Sequence, residues 1–136
     1  MINGKDTEIW IGENRFYIGE DGILYITCVG DIDEKMALEF KDAIFKLLTT
    51  VGKKKVNTFV DINKAGKISS KARNTFNKLT EDYKSDYGSR TALVGLHPVA
   101  RVIASFFMGF SKDKDTIHFY KTTEDALVWL KEEQTK

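Results

Sequence analysis

The order of apolar patterns in this sequence predicts an α/β protein. Three observations carry the prediction. Short apolar runs of strand length alternate with stretches whose apolar residues recur every three or four positions. Two of those stretches follow a capping-box spacing, and a hairpin pattern precedes the first of them. The order reads β, β, α, β, α, β, α, β, α. It predicts an N-terminal β-hairpin followed by alternating β-α units, giving a mainly parallel five-stranded sheet with four helices and right-handed crossovers.

Each element has a local cause. Ile9, Trp10 and Ile11, then Arg15 to Ile18, form the hairpin, and Glu20-Asp21-Gly22 is a turn leading into a longer strand from Ile23 to Val29. Asp31-x-x-Glu34 has capping-box spacing and opens a helix whose buried stripe is Met36, Phe40, Ala43, Ile44, Leu47, Leu48 and Val51, with Gly52 as its stop. Val56 to Ile62 is the next strand. Ser69 or Ser70 caps a second helix with a narrow stripe of Ala72, Phe76, Leu79 and Tyr83. Thr91 to Leu96 is a strand, and Pro98 stands where a third helix begins. Ile117 to Tyr120 is the last strand. Thr122-x-x-Asp125 is the second capping box, opening a final helix that packs Ala126, Leu127 and Leu130 with Trp129 beside them.

Length and composition narrow the function classes. The 136 residues suit one domain spanning 1–136, and 42% hydrophobic with 30% charged residues excludes disorder, collagen-like repeats and coiled coil. A net charge of +1 argues against a dedicated nucleic-acid binder. No apolar run is long enough for a membrane span. The single cysteine, Cys28, has no partner for an internal disulfide, and no leader pattern opens the chain, so the expected compartment is the cytoplasm.

Motifs for common chemistries are missing from the sequence. There is no glycine-rich phosphate loop, no G-x-G-x-x-G and no G-x-S-x-G. His97 and His118 are far apart and Cys28 has no ligand neighbour in sequence, so no metal or other cofactor is expected. Asp31-Ile32-Asp33 has two carboxylates that a magnesium ion would accept, but helix capping is the favoured role. Asp61, at the carboxyl end of a strand, is either a ligand-binding group or the acceptor of a hydrogen bond closing the next loop.

The near-neutral total hides a division. Residues 1–52 carry five basic and ten acidic side chains, residues 53–90 carry ten basic and four acidic, and the remainder has six of each. Lys64, Lys67, Lys71 and Arg73 surround the helix start at Ser69-Ser70. Free amides, the positive end of the helix dipole and these cations together suit an anion or a phosphoserine. The third helix, Val99 to Phe110, has Arg101 and Ser105 as its clearly polar residues. Val99, Val102, Ile103, Phe106 and Phe110 share the face expected on the sheet, with Phe107 and Met108 to the side. That apolar surplus makes Arg101, Phe106, Phe107, Met108 and Phe110 candidates for a homodimer surface, a lipid-facing patch allowing peripheral membrane association, or the wall of a small-molecule cavity.

From Gly22 to Glu133 the chain resembles the STAS family, specifically its single-domain SpoIIAA-like members. The residues that carry the resemblance are Ile23 to Gly30 followed by Asp31-Ile32-Asp33, Val60-Asp61-Ile62-Asn63, Ile68-Ser69-Ser70-Lys71-Ala72, and the closing Phe119 to Leu127. The resemblance implies an α/β fold and a non-enzymatic regulatory or protein-interaction role like that of anti-sigma factor antagonists. In those proteins the first serine of Asp-Ser-Ser-Gly is phosphorylated by a partner kinase, which places the switch at Ser70 here. Ser69 stands for the aspartate, Lys71 for the second serine and Ala72 for the glycine. The divergent SpoIIAA-like branch, related to lipid-binding Sec14-type domains, is the nearer likeness. It implies the alternative, a binder of a small amphipathic molecule or lipid through the third helix.

Overall fold

The computed structural model of the protein describes residues 8–51, 56–75, 78, 90–96 and 117–134. Its strands are Glu8–Ile11 (β1), Asn14–Ile18 (β2), Leu24–Ile32 (β3), Thr58–Ile68 (β4), Thr91–Val94 (β5) and Ile117–Tyr120 (β6). They form one sheet in chain order, β1-β2-β3-β4-β5-β6. The first two pairings are antiparallel and the next three parallel. The helices are Glu34–Val51 (α1), a second that begins at residue 70 and is described through residue 75 (α2), and Thr123–Gln134 (α3).

The described residues thus hold six strands and three helices, where the sequence pattern predicts five and four. The sixth strand lies ahead of α1, where the hairpin and the longer strand make three strands and the predicted order counts two; each of the two turns between them holds a glycine with positive φ. Gly12 (φ 61) makes the two-residue turn between β1 and β2, and Gly22 (φ 80) the turn into β3. The predicted helix from Val99 to Phe110 lies outside the described residues.

Alternation of side chains sorts the sheet into two cores. On one face Phe16, Leu24, Ile26, Cys28, Ile62 and Leu93 meet Ala37, Phe40, Ala43, Ile44, Leu47 and Leu48 of α1, and Ala72 of α2 joins them. Phe16 and Phe40 meet edge to face, with ring centroids 4.8 Å apart. On the other face Phe59, Ala92 and Val94 meet Ala126 and Leu130 of α3, with Tyr25, Tyr120, Leu127 and Trp129 at its border. Trp129 stacks on His118, centroids 4.4 Å apart, and lies under the Arg90 guanidinium. This explains why His118 and Tyr120 alternate with apolar residues in an inner-looking strand.

Two helix starts shift or sharpen the capping pattern. Thr122 caps α3 as predicted, its Oγ1 accepting from the Asp125 N–H at 3.2 Å. At α1 the cap is Asp33 instead of Asp31: the Met36 N–H donates to Asp33 Oδ1 at 2.9 Å, and the Ala37 N–H to the Asp33 carbonyl. The reason is that β3 runs on to Ile32, which pairs with Ile68, so the chain cannot turn into the helix earlier. The strand after α1 also differs from its predicted span of Val56 to Ile62. It starts at Thr58, ends at Ile68 and is 11 residues long.

Two buried asparagines fasten the edges of this arrangement. Asn57 donates to the Leu130 carbonyl (2.7 Å) and accepts from the Arg90 N–H (3.0 Å). Asn14, 2% exposed, donates to the Ile11 carbonyl and accepts the Val29 N–H at 2.7 Å. That N–H lies where the β3–β4 register shifts, between Thr27 and Val29. Replacing Asn14 by alanine leaves it without an acceptor. A loss of about 1–3 kcal/mol in urea unfolding is expected for N14A.

Candidate functional site

β3 and β4 outrun the sheet. β5 pairs with β4 only as far as Val94 opposite Asp61, whereas β3 and β4 continue through Val29↔Lys64, Gly30↔Ala65 and Ile32↔Ile68. The site is built on this two-stranded parallel extension, whose far end carries Ser69, Ser70 and the start of α2.

The extension is pinned by backbone geometry and one carboxylate. Gly30 has φ +79, in the left-handed region, and marks a second register shift before Ile32. Asp31 Oδ1 accepts the Lys67 N–H at 2.8 Å, a bond that crosses between strands. Gly66 lies against that carboxylate so closely that a Cβ there would collide with Asp31 Oδ1. The same Cβ would stand 3.0 Å from the Gly30 carbonyl carbon and 3.1 Å from the Asp31 nitrogen. Gly66 thus sits where two strands approach closely, and a side chain there would push the Asp31 carboxylate off the Lys67 N–H.

Ser69 and Ser70 divide the work at the helix start. The Ser69 N–H donates to the Ile32 carbonyl at 3.0 Å, and Ser69 Oγ accepts the Ala72 N–H at 3.1 Å, so Ser69 is the N-cap. Ser70, in the first turn, is exposed, and its Oγ accepts a hydrogen bond from Arg73 Nη2 at 3.1 Å. Lys64, Lys67 and Lys71 are exposed and Arg73 is half-buried. Chain geometry brings Lys67, Ser69, Ser70, Lys71 and Arg73 together, with Lys64 further back on the same extension.

Asp61 is not part of this group. At about 3.3 Å per residue it lies about 23 Å back along β4 from Ile68, the strand's last residue. Its Oδ1 accepts both the N–H and the side-chain amide of Asn63, each at 2.9 Å, and Asn63 Oδ1 accepts the Leu96 N–H. Asp61 therefore stabilises the bend where β4 leaves β5. Its charge also reaches the buried Cys28. Burial first, and the Asp61 charge second, push that thiol up to about 12.

Asp31 and Asp33 are each used as acceptors of backbone N–H groups, and no group of three or more metal-ligating side chains is present among the described residues. Arg101, Phe106, Phe107, Met108 and Phe110 lie outside the described residues, as does His97. Gly66, Gly30 and the cross-strand role of Asp31 are the parts of the site that sequence reasoning missed. A lone glycine inside an otherwise strand-like run was the available signal.

The sheet order, with a hairpin ahead of parallel β-α units, belongs to a SpoIIAA-like fold. Three solved structures share it. An uncharacterised DUF3478-family protein with a SpoIIAA-like fold from Shewanella loihica PV-4 is 16% identical, with 90% of each chain covered and a TM-score of 0.61. The Bacillus cell fate determinant SpoIIAA, in its phosphorylated form, is 13% identical over 85% of this chain and 97% of its own, with a TM-score of 0.60. An anti-sigma factor antagonist from Mycobacterium paratuberculosis is 18% identical over 96% and 99%, with a TM-score of 0.61. At these identities the likeness is one of fold. The chain itself belongs to the DUF7793 family, a domain of unknown function, whose pattern matches residues 16–134. No curated protein matches it.

Two outcomes follow from this geometry. S69A removes the cap of α2 and is expected to cost about 1 kcal/mol, whereas S69D keeps an acceptor and most of the stability, both read by urea unfolding. Cys28, Tyr25 and Tyr120 all hold their protons more tightly in the fold, each chiefly through burial. The unfolded thiol, with its ordinary value of 9.0, releases its proton first. Between about 9 and 12 the native state then binds more protons than the unfolded one, so stability falls as pH rises through that window. Urea midpoints measured from neutral to alkaline pH check the sign, and C28A flattens the slope.

Proposed function

We propose that this protein is a regulatory protein-interaction module whose contact surface is the far end of β4 and the start of α2, residues 64–73, with Ser70 as its modifiable group. The observation that supports it most is the exposed Ser70 hydroxyl, already bonded to Arg73 at the positive end of a helix and flanked by exposed Lys67 and Lys71. A phosphate placed there gains charge-assisted bonds from Arg73, while the dipole and the nearby lysines favour its charge. The shared fold points the same way, since two of its holders are described as anti-sigma factor antagonists and one was solved phosphorylated.

The chemistry around the serine sets the consequence. In this chain a cation, Lys71, follows the serine, so phosphorylation neutralises a basic surface. A partner held by that basic surface is released when Ser70 carries phosphate.

Protein carrying phosphoserine at position 70, made by genetic incorporation, is expected to melt a few degrees higher than the unmodified protein, and R73Q to remove most of that gain. Affinity purification compared across wild type, the phosphoserine protein and K67E/K71E tests the contact surface. Loss of the same partner from both altered proteins is expected. Identical partner sets from all three would sink the reading.

A further inference from the structure

On the sheet face away from α1, α3 packs against Phe59, Ala92 and Val94 of β4 and β5. Register carries the same face on to Glu8 and Trp10 of β1, Arg15 and Tyr17 of β2, and Tyr25 of β3. Their side chains form a ladder across three antiparallel strands. The Arg15 guanidinium carbon stands 5.7 Å from the Trp10 ring centre and 4.1 Å from that of Tyr17. Tyr17 in turn stacks on Tyr25, with centroids 5.0 Å apart and planes 11° from parallel.

The ladder is held in place from within. Arg15 Nε donates to Glu8 Oε2 at 2.6 Å, and the Tyr25 hydroxyl donates to Asp21 Oδ2 at 2.5 Å. A Cβ on Gly19 would stand 2.7 Å from Tyr25 Cε2, so the turn before β3 is shaped around this ring. Trp10, at the other end, is 57% exposed. An ordered row of rings ending in an exposed indole suits contact with another molecule.

We propose that this ladder docks a proline-rich extended segment of a protein partner, whose rings rest on Trp10 and Tyr17. The surface is separate from residues 64–73, since Ala72 of α2 packs in the core on the opposite face. Charge and hydrogen bonding select the occupant. Glu8 neutralises Arg15, and Asp21 stands 3.9 Å from Lys131 Nζ, so an ionic ligand gains little here. The next charge along the row, Asp61 beyond Thr27, is negative and repels a phosphate backbone. The spare polar groups are mainly donors: the Trp10 indole N–H only donates, and Glu8 engages two of the three guanidinium nitrogens of Arg15. A proline segment matches them, offering carbonyls without N–H groups in a helix that is extended before it binds. The hydroxyl donors of a sugar would find Glu8 and Asp21 already bonded.

The test uses full-length protein and an acetylated, amidated decaproline, with a glycine-serine peptide of equal length as control. In an NMR titration to about 1 mM probe, the Trp10 indole N–H is expected to shift while that of Trp129, on α3, stays in place. Binding should not weaken with added salt. W10A is expected to bind at least about tenfold more weakly, and W10F, which keeps a ring, to recover most of that loss. K67E/K71E should bind the probe as wild type does, so this surface and the one around Ser70 are read separately. An unmoved Trp10 resonance, equal binding by W10A, or equal binding of the glycine-serine peptide overturns the proposal. So does a Trp10 resonance that moves with protein concentration alone, the mark of a second copy, or one that answers to oligouridine or an oligosaccharide and not to decaproline.

Discussion

At Gly66 two strands approach so closely that a Cβ would displace the Asp31 carboxylate, and much of the site's geometry follows from that contact. With no Cβ in the way, the Asp31 carboxylate reaches the Lys67 N–H and β3 stays paired with β4 as far as Ile32 and Ile68. The pairing sets where both following helices begin. It delays α1 until Glu34, handing the capping role to Asp33, and it delivers the Ser69 N–H to the Ile32 carbonyl so that Ser69 caps α2. Position of Ser70 relative to Arg73 is thus inherited from a backbone contact three to four residues upstream.

The same contact decides the electrostatics of the exposed end. Asp31 and Asp33 are nearest to the lysines along the paired strands, yet both carboxylates are turned to backbone N–H groups. Their lone pairs are partly spent on the fold. What remains outward is lysine, at positions 64, 67 and 71, beside a serine in the first turn of a helix. An overall charge of +1 conceals this, because the acidic excess belongs to the first 52 residues and the basic excess to residues 53–90. A surface formed this way is locally positive while the whole molecule stays nearly neutral.

Elements with strong local causes were legible in the sequence. Thr122 caps the last helix, Ala126 and Leu130 face the sheet, and Ile117–Tyr120 is the last strand, because capping chemistry and apolar spacing act within a few residues. The apolar stripe of α1 was equally plain. Positions governed by contacts distant in sequence were not. Asp31-x-x-Glu34 satisfies a capping box on paper, but the cross-strand bond to Lys67, 36 residues away, claims Asp31 first. Strand β4 was expected to stop at Ile62, since Asn63-Lys64-Ala65-Gly66-Lys67 has no alternation to mark a strand; pairing with β3 alone keeps it extended. Asn14 carried no signal either, since its role comes from the Val29 N–H left over at a register shift 15 residues on. For the site, the basic cluster and the serine cap were readable and Gly66 was not, because close approach is a property of two strands.

The most direct test of this dependence is native-state hydrogen exchange in D31A. Losing the carboxylate should speed exchange at the Lys67 and Ser69 amides by about tenfold or more, while the Leu93 amide in the middle of the sheet keeps its protection. Lys67 and Ser69 amides as protected in D31A as in the wild type would show that the serine-capped helix start is held in place without Asp31, and would contradict the account.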